Sequence, residues 1–361
     1  MISIREMREK ERRARELMDR EGLDALALST TANFAWFTCG GSNYVGLASE
    51  VGVATAVITR DAKYIVCDNI ESGRILDEEV TDQGFEFATC YWYEGAKDDL
   101  IGKIAGGVLG SDAPMAGAKN VCSALDPYRY SLTDEEVERY RWVGKHTGEA
   151  LAQACREVEI GMTEHDIAGL LNAKLFELGM TPGVSLVAAD DRISKYRHPL
   201  PTDNKLARYA MLVTSGRKWG LIVSASRLVH FGELPAELRR KHEAVVQIDA
   251  AFINGTKPGA NVGDIFKNAV DTYARTGFPD EWKLHHQGGP TGYKGREYRA
   301  SLSTNAIVQT NQAYAWNPSI TGTKSEDTIL ATPAGTEILS AVEDWPMIEV
   351  DGIARPDILV R

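Results

Sequence analysis

The sequence predicts an α/β protein of two parts, a mixed domain at residues 1–130 and a larger one at residues 131–361. Three observations carry this. The first 130 residues interleave short helical patterns with β-rich runs, as a small α/β domain does. Ser131-Leu132-Thr133-Asp134-Glu135-Glu136 then opens a long helix and marks the boundary. Beyond it the order runs two helices, strands, two helices, strands, the pattern of two related halves folded around a central cleft.

Residues 5–21 read as a charged amphipathic helix, with Met7, Ala14, Leu17 and Met18 at helical spacing and Gly22 placed to end it. The mostly apolar run 23–28 follows as a strand. Residues 33–44, aromatic and glycine-rich, lead from helix into loop. The runs 51–58 and 63–67 are β-rich, and Thr59-Arg60-Asp61-Ala62 turns between them. Short helices are expected at 98–104 and 124–129. In the second part Thr133 is an N-cap with Glu136 three residues on, a capping box whose acids suit the positive end of the helix dipole; the helix runs to Val158. Thr163 caps the next helix, which reaches Leu178. Strands are expected at 185–188, 211–214 and 221–230, then a helix at 234–254. A turn and cap at 257–264 open another helix to Thr276, and strands return at 306–308, 313–317 and 327–331.

Composition narrows the function. Hydrophobic and charged fractions of 43% and 25% are those of a globular chain. A net charge of −11 without basic tracts argues against nucleic acid or an anionic membrane as partner. No apolar run reaches membrane-spanning length, and the polar start lacks a signal core. Five widely spaced cysteines make no CxxC or zinc-ribbon pattern; reduced thiols and a cytoplasmic location are the expectation. The chemistry concentrates in His285-His286-Gln287-Gly288-Gly289-Pro290-Thr291-Gly292-Tyr293-Lys294-Gly295-Arg296-Glu297. Two adjacent histidines enter a glycine-rich loop, where backbone approaches a ligand closely and a histidine can serve as metal ligand, proton shuttle or hydrogen-bond donor. His198 lies upstream between Arg197 and Pro199; Asn317 and Glu326 lie downstream.

These segments, in this order, resemble the pita-bread fold of methionine aminopeptidase, the Xaa-Pro peptidases and creatinase. His198-Pro199-Leu200-Pro201-Thr202-Asp203 is similar to the substrate-pocket histidine segment, and Met211-Leu212-Val213-Thr214-Ser215-Gly216 to the first ligand strand. His286-Gln287-Gly288-Gly289 is similar to the His-Gly-x-Gly segment, Ala315-Trp316-Asn317-Pro318 to the Glu-Pro segment, and Ser325-Glu326-Asp327-Thr328 to the Glu-Asp-Thr segment. The two-domain version covers essentially the whole chain. The resemblance therefore implies a creatinase-like α/β domain, then a pita-bread domain of duplicated α+β halves. It also implies a homodimer in which residues 33–44 reach toward the partner's cleft.

The departures from the family pattern say most about function. The peptidases resembled here hold two metal ions with two aspartates, one histidine and two glutamates. The counterparts in this chain are Thr214, Ala225, His286, Asn317 and Glu326. Hard divalent ions in such a site need several carboxylate oxygens, so neither the dinuclear metal centre nor another cofactor is expected. Creatinase works without metal and uses the pocket histidine, the counterpart of His198, for proton transfer. Its guanidinium-holding glutamate is missing here, where Ser226 and Arg227 stand. The resemblance implies a metal-independent hydrolase cleaving a C–N bond of a small polar, anionic molecule. His198 is then the acid/base, His286 and Glu326 complete the catalytic group, and Asn317, Arg227, Arg197 and Tyr293 contact the substrate. Two alternatives remain beside it: a peptidase relative whose chemistry has lapsed, acting as a binding protein, and a peptidase with an atypical metal site.

Overall fold

The computed structural model describes residues 3–361, which form two compact units, one running to Glu136 with Trp219–Leu221 added and one comprising Val137–Lys218 and Ile222–Arg361. The first unit is built on a six-stranded sheet in the order Glu86–Cys90, Lys63–Asp68, Val51–Thr59, Ala25–Thr30, Leu109–Ser111, Lys119–Asn120. The sequence marks the three central strands; the outer ones are short or partly exposed and offer no run of core residues to read. Helix Ile4–Glu21 ends at Gly22 in the left-handed conformation (φ 68°), as the spacing predicts. Its buried side includes Lys10, whose ammonium lies 2.7 Å from Glu6 and 2.9 Å from Glu136.

Both capping boxes close, the first at the end of the first unit and the other within the second. Thr133 N donates to Glu136 Oε2 at 2.7 Å, and Glu136 N to Thr133 Oγ1 at 3.3 Å. Thr163 and Asp166 repeat the exchange at 2.8 and 3.1 Å. The helices so started, Asp134–Glu157 and Glu164–Glu177, bury Leu151, Cys155, Ile167 and Leu171 against a sheet ordered Leu359–Val360, Leu221–His230, Tyr209–Lys218, Thr181–Ala189. A second helix pair, Ala236–Gly255 and Val262–Arg275, packs on a sheet ordered Gly288–Thr291, Gln312–Trp316, Asp327–Thr332, Gly335–Ile338. Trp316 anchors that core, stacked on Phe252 at 4.4 Å and donating to Thr256 Oγ1 at 2.9 Å. Two helices and a sheet, twice over, is the duplicated arrangement that the element order predicts.

Two expectations are corrected. Residues 306–308 are not a strand; Ile307 makes only an isolated bridge to Asn261. Gly288–Thr291 is a strand and not a loop. It takes the sheet edge, where Pro290 removes no ladder bond. Gly288 has φ 94°, and a Cβ there would lie 2.1 Å from Ala315 O, so only glycine permits this pairing. No helix among the described residues is long and apolar enough to cross a membrane.

Candidate functional site

The site lies in the second unit, where a strand of each sheet meets the other. Ser226 N donates to Glu326 O at 3.1 Å, and Ser224 N to Thr328 Oγ1 at 2.8 Å. Glu326 sits on this seam, 2% exposed. Its Oε2 receives Lys324 Nζ at 2.6 Å and Ser226 Oγ at 2.7 Å; its Oε1 receives Arg296 Nη2 at 3.0 Å. Burial alone would raise the Glu326 carboxyl, but Lys324 and Arg296 more than reverse this and hold it down at about 2.

Three imidazoles stand beside this cluster. His198 Nε2 and His285 Nε2 face each other at 3.1 Å, and the other His285 nitrogen, Nδ1, is 3.2 Å from Ser319 Oγ. His286 lies with its ring centre 4.7 Å from that of His285 and 5.6 Å from that of His198. Gly288 N donates to its Nδ1 at 3.3 Å. All three rings are biased to the neutral form. Burial comes first in each case. Lys324 adds to it at His198 and His285, and Arg296 and Arg299 add to it at His286, with Glu326 opposing throughout. His285 is driven to about 2 and His286 to about 4, while His198, the exposed member, is lowered less completely. Asn317, 3% exposed at the end of strand Gln312–Trp316, has a buried Oδ1 with no hydrogen-bond partner.

Of the sequence-predicted residues, His198, His286 and Glu326 thus belong to one cluster. Arg227 does not contact it through its guanidinium. That group is 1% exposed and donates to Asp327 Oδ1 and Ser340 O, both at 2.9 Å, in a buried network where Arg355 bridges Asp327 and Asp249. Its charge is spent on Asp327, which corrects the expectation of a substrate fork. Arg197 lines a crevice with His285, Ser319 and Lys324, but its Nη2 is taken by Glu281 at 2.7 Å and Thr321 at 2.9 Å. Tyr293 is buried at 3% exposure and presents no surface to a ligand.

Sequence reasoning named His285 without giving it a role, and it missed Lys324, Ser215 and Ser224. Lys324 is two positions before Glu326, a spacing that puts both on one side of an extended chain, and this was the available signal. Neither residue of the carried-over pair joins the cluster, whereas their neighbours Ser215 and Ser224 do. Thr214 donates to Val184 O at 3.1 Å, and Ala225 packs into the core under the first helix pair. Ser215 and Ser224 join hydroxyls at 2.9 Å, and Arg296 Nη1 reaches Ser224 Oγ at 3.3 Å. In a strand a shift of one residue reverses the face.

With either pair, no aspartate faces Glu326. The donor set of a dinuclear centre is missing, and the remaining carboxylate already holds two cations, so the residues present do not fit two divalent ions. The three imidazoles are the other ligand-type group, with nitrogens within 4.8 Å of one another. They face the positive field of Lys324, Arg296 and Arg299. The hydrogen bond from Gly288 N also makes His286 Nδ1 the acceptor, which puts the ring proton on Nε2.

A duplicated helix-pair and sheet domain that follows an α/β domain along the chain defines a class by architecture, the pita-bread fold. Residues 138–333, more than half the chain, match metallopeptidase family M24, and the chain belongs to that family. An uncharacterized peptidase of Staphylococcus epidermidis is 22% identical over 91% of this chain and 98% of its own length. Among solved structures, the Xaa-Pro dipeptidase from Bacillus anthracis superposes with a TM-score of 0.79 at 16% identity, covering 98% of this chain and 100% of that one. The recombinant prolidase from Thermococcus sibiricus gives 0.81 at 12%, covering 100% of both. The N-terminal domain of a FACT complex subunit from Cicer arietinum gives 0.73 at 12%, covering 95% of this chain and 98% of that one.

Proposed function

We propose that this chain is a hydrolase that cleaves a C–N bond in a small anionic molecule without the family's dinuclear metal centre, using His198 as base and then acid. One observation supports it above the rest: an exposed His198, biased neutral, beside a surplus of basic side chains. Lys324 and Arg296 share the single carboxylate of Glu326, and Arg299 makes no ion pair among the described residues. Backbone pairing of Glu297 N to Pro290 O and of Ala300 N to Gly288 O, at 2.8 and 2.9 Å, holds Arg299 alongside the strand that follows His286.

In this reading water attacks the carbon and its proton passes to His198 as the C–O bond forms. His198 then delivers that proton to the departing nitrogen as the C–N bond breaks, and ends neutral. Arg299 takes the carboxylate-binding role that the sequence assigned to Arg227. His286 and the unpartnered Asn317 Oδ1 orient the substrate. N-acyl and N-carbamoyl amino acids have the required form.

A thermal-shift screen of paired anionic and cationic metabolites tests the polarity. Stabilisation by N-acyl or N-carbamoyl amino acids is expected; stabilisation by guanidines or amidines alone would refute it. With a substrate so found, His198→Ala should lose ~10²- to 10⁴-fold in turnover while melting as the wild type does. Full activity in that variant would remove His198 from the chemistry. Binding without any turnover in the wild type would favour the lapsed, ligand-binding reading.

A further inference from the structure

We infer that His285 is a positioning residue that fixes the tautomer of His198, through a relay running from Ser319 Oγ to His285 Nδ1 and from His285 Nε2 to His198 Nε2. The inference rests on the acid/base reading of His198 and goes beyond it by naming the nitrogen that acts.

Two imidazole nitrogens 3.1 Å apart hold one proton between them, because two N–H groups or two lone pairs would repel. Two arrangements satisfy this. In the first, His285 Nε2–H donates to His198 Nε2, so His198 carries its own proton on Nδ1. Both nitrogens of His198 are then occupied and it has no lone pair left for a proton from water. In the second, His198 Nε2–H donates to His285 Nε2. His285 must then carry its proton on Nδ1, and the 3.2 Å contact gives that proton an acceptor in Ser319 Oγ. His198 keeps a free lone pair on Nδ1. Only the second arrangement leaves a base.

The surroundings hold His285 rigidly enough to act this way. It is 8% exposed, and its carbonyl receives Gln287 Nε2 at 2.6 Å. Ser319 is held in turn, its N–H donating to Tyr273 Oη at 3.0 Å and its carbonyl accepting from Tyr273 Oη at 3.1 Å. When His198 Nδ1 takes a proton, the ring becomes a cation whose Nε2–H still points at a lone pair of His285. The acceptor plays the part that a carboxylate plays in a Ser-His-Asp triad, but it is neutral. Because burial and Lys324 keep His285 unprotonated, the proton stays on His198, available to the leaving nitrogen.

Long-range proton–nitrogen correlation spectra of protein labelled with ¹⁵N-histidine read the tautomers directly, with signals assigned by single-histidine variants. At pH 8 the second arrangement gives a pyridine-type Nδ1 in His198 and a pyridine-type Nε2 in His285. A pyridine-type Nε2 in His198 would overturn the inference whatever the activity, so its failure is separate from that of the acid/base reading. Kinetics supply the second readout once a substrate is in hand. His285→Phe removes the acceptor and should lower kcat by about 10- to 100-fold with KM unchanged, the scale of one hydrogen bond to a charged group. His285→Gln offers an amide oxygen in place of the lone pair and should recover part of that loss. Equal effects on kcat and KM in both variants would reduce His285 to packing and overturn the role.

Discussion

Replacing Glu326 by Gln separates an internally compensated ion cluster from an empty metal site. The substitution keeps side-chain volume and one acceptor oxygen but removes the negative charge that holds Lys324 at 2.6 Å and Arg296 at 3.0 Å. The side chains of Lys324 and Glu326 are both buried, so water cannot replace what is lost. Two unit charges 4 Å apart attract by ~4 kcal/mol at an effective dielectric of ~20, and the cost of burial offsets part of this. Measured removals of one member of a buried pair cost ~3–5 kcal/mol, and that is the expected size here. For a unit of ~150–250 residues each kcal/mol moves Tm by ~2–4 °C, so a fall of about 6–20 °C should appear by differential scanning calorimetry. A metal-binding carboxylate cluster behaves oppositely, since neutralising one acid in the ion-free protein relieves repulsion and raises Tm. An unchanged or higher Tm in Glu326→Gln would refute the account. So would one or two tightly held divalent ions per wild-type chain in elemental analysis after dialysis.

Two further outcomes are expected. His242 and His285 are held neutral by burial, at about 4 and about 2. Unfolding lets each take a proton, so their contribution is fully present above pH ~6.5 and falls as pH drops below it, by about 1.4 kcal/mol per pH unit for each. Urea unfolding at pH 7.5, 6 and 5 reads this, and a flat profile would contradict it. In light scattering at micromolar concentration the protein should have about twice the 39.6 kDa chain mass, as the resemblance to the two-domain peptidases implies; a monomer would refute the homodimer.

The parts of the structure legible in the sequence are those whose causes are local. Thr133 with Glu136, and Thr163 with Asp166, announce their helices because a capping box is completed within four residues. The strand Gly288–Thr291 was illegible because its residues disfavour strands. It forms because Gln312–Trp316 supplies a partner and the edge position tolerates Pro290. Candidate positions could be carried over by motif, but their partners could not. Arg227 was legible as a cation near the site, and only the fold shows that Asp327, 100 residues away, has claimed it. His285 was visible as half of a histidine pair, but its contact with His198 spans 87 residues. Thr214 and Ala225 show the limit of motif spacing, because strand side chains alternate and an offset of one exchanges the core face for the site face.

The charge on the site ties its two proposed properties together, and this yields a last prediction. Asp249 and Asp327 are compensated by Arg355 and Arg227, and that buried network leaves no net charge for the histidines to feel. What remains is one carboxylate, Glu326, against Lys324, Arg296 and the exposed Arg299. The surplus is positive. It favours an anionic ligand, and it also helps burial to depress the pKa of His198, so the free protein holds His198 in its base form at neutral pH. An anion bound beside these cations cancels part of their field. The pKa of His198 should then rise on binding, which strengthens the base at the moment it is needed. Titration of the His198 ring signals by NMR, with and without a non-hydrolysed anionic ligand, measures this. The sign is fixed by the charges: a rise supports the anion-binding site. An unchanged or lower pKa in the complex would mean that the ligand's charge does not meet Lys324, Arg296 and Arg299, and that the cationic surplus serves something other than substrate recognition.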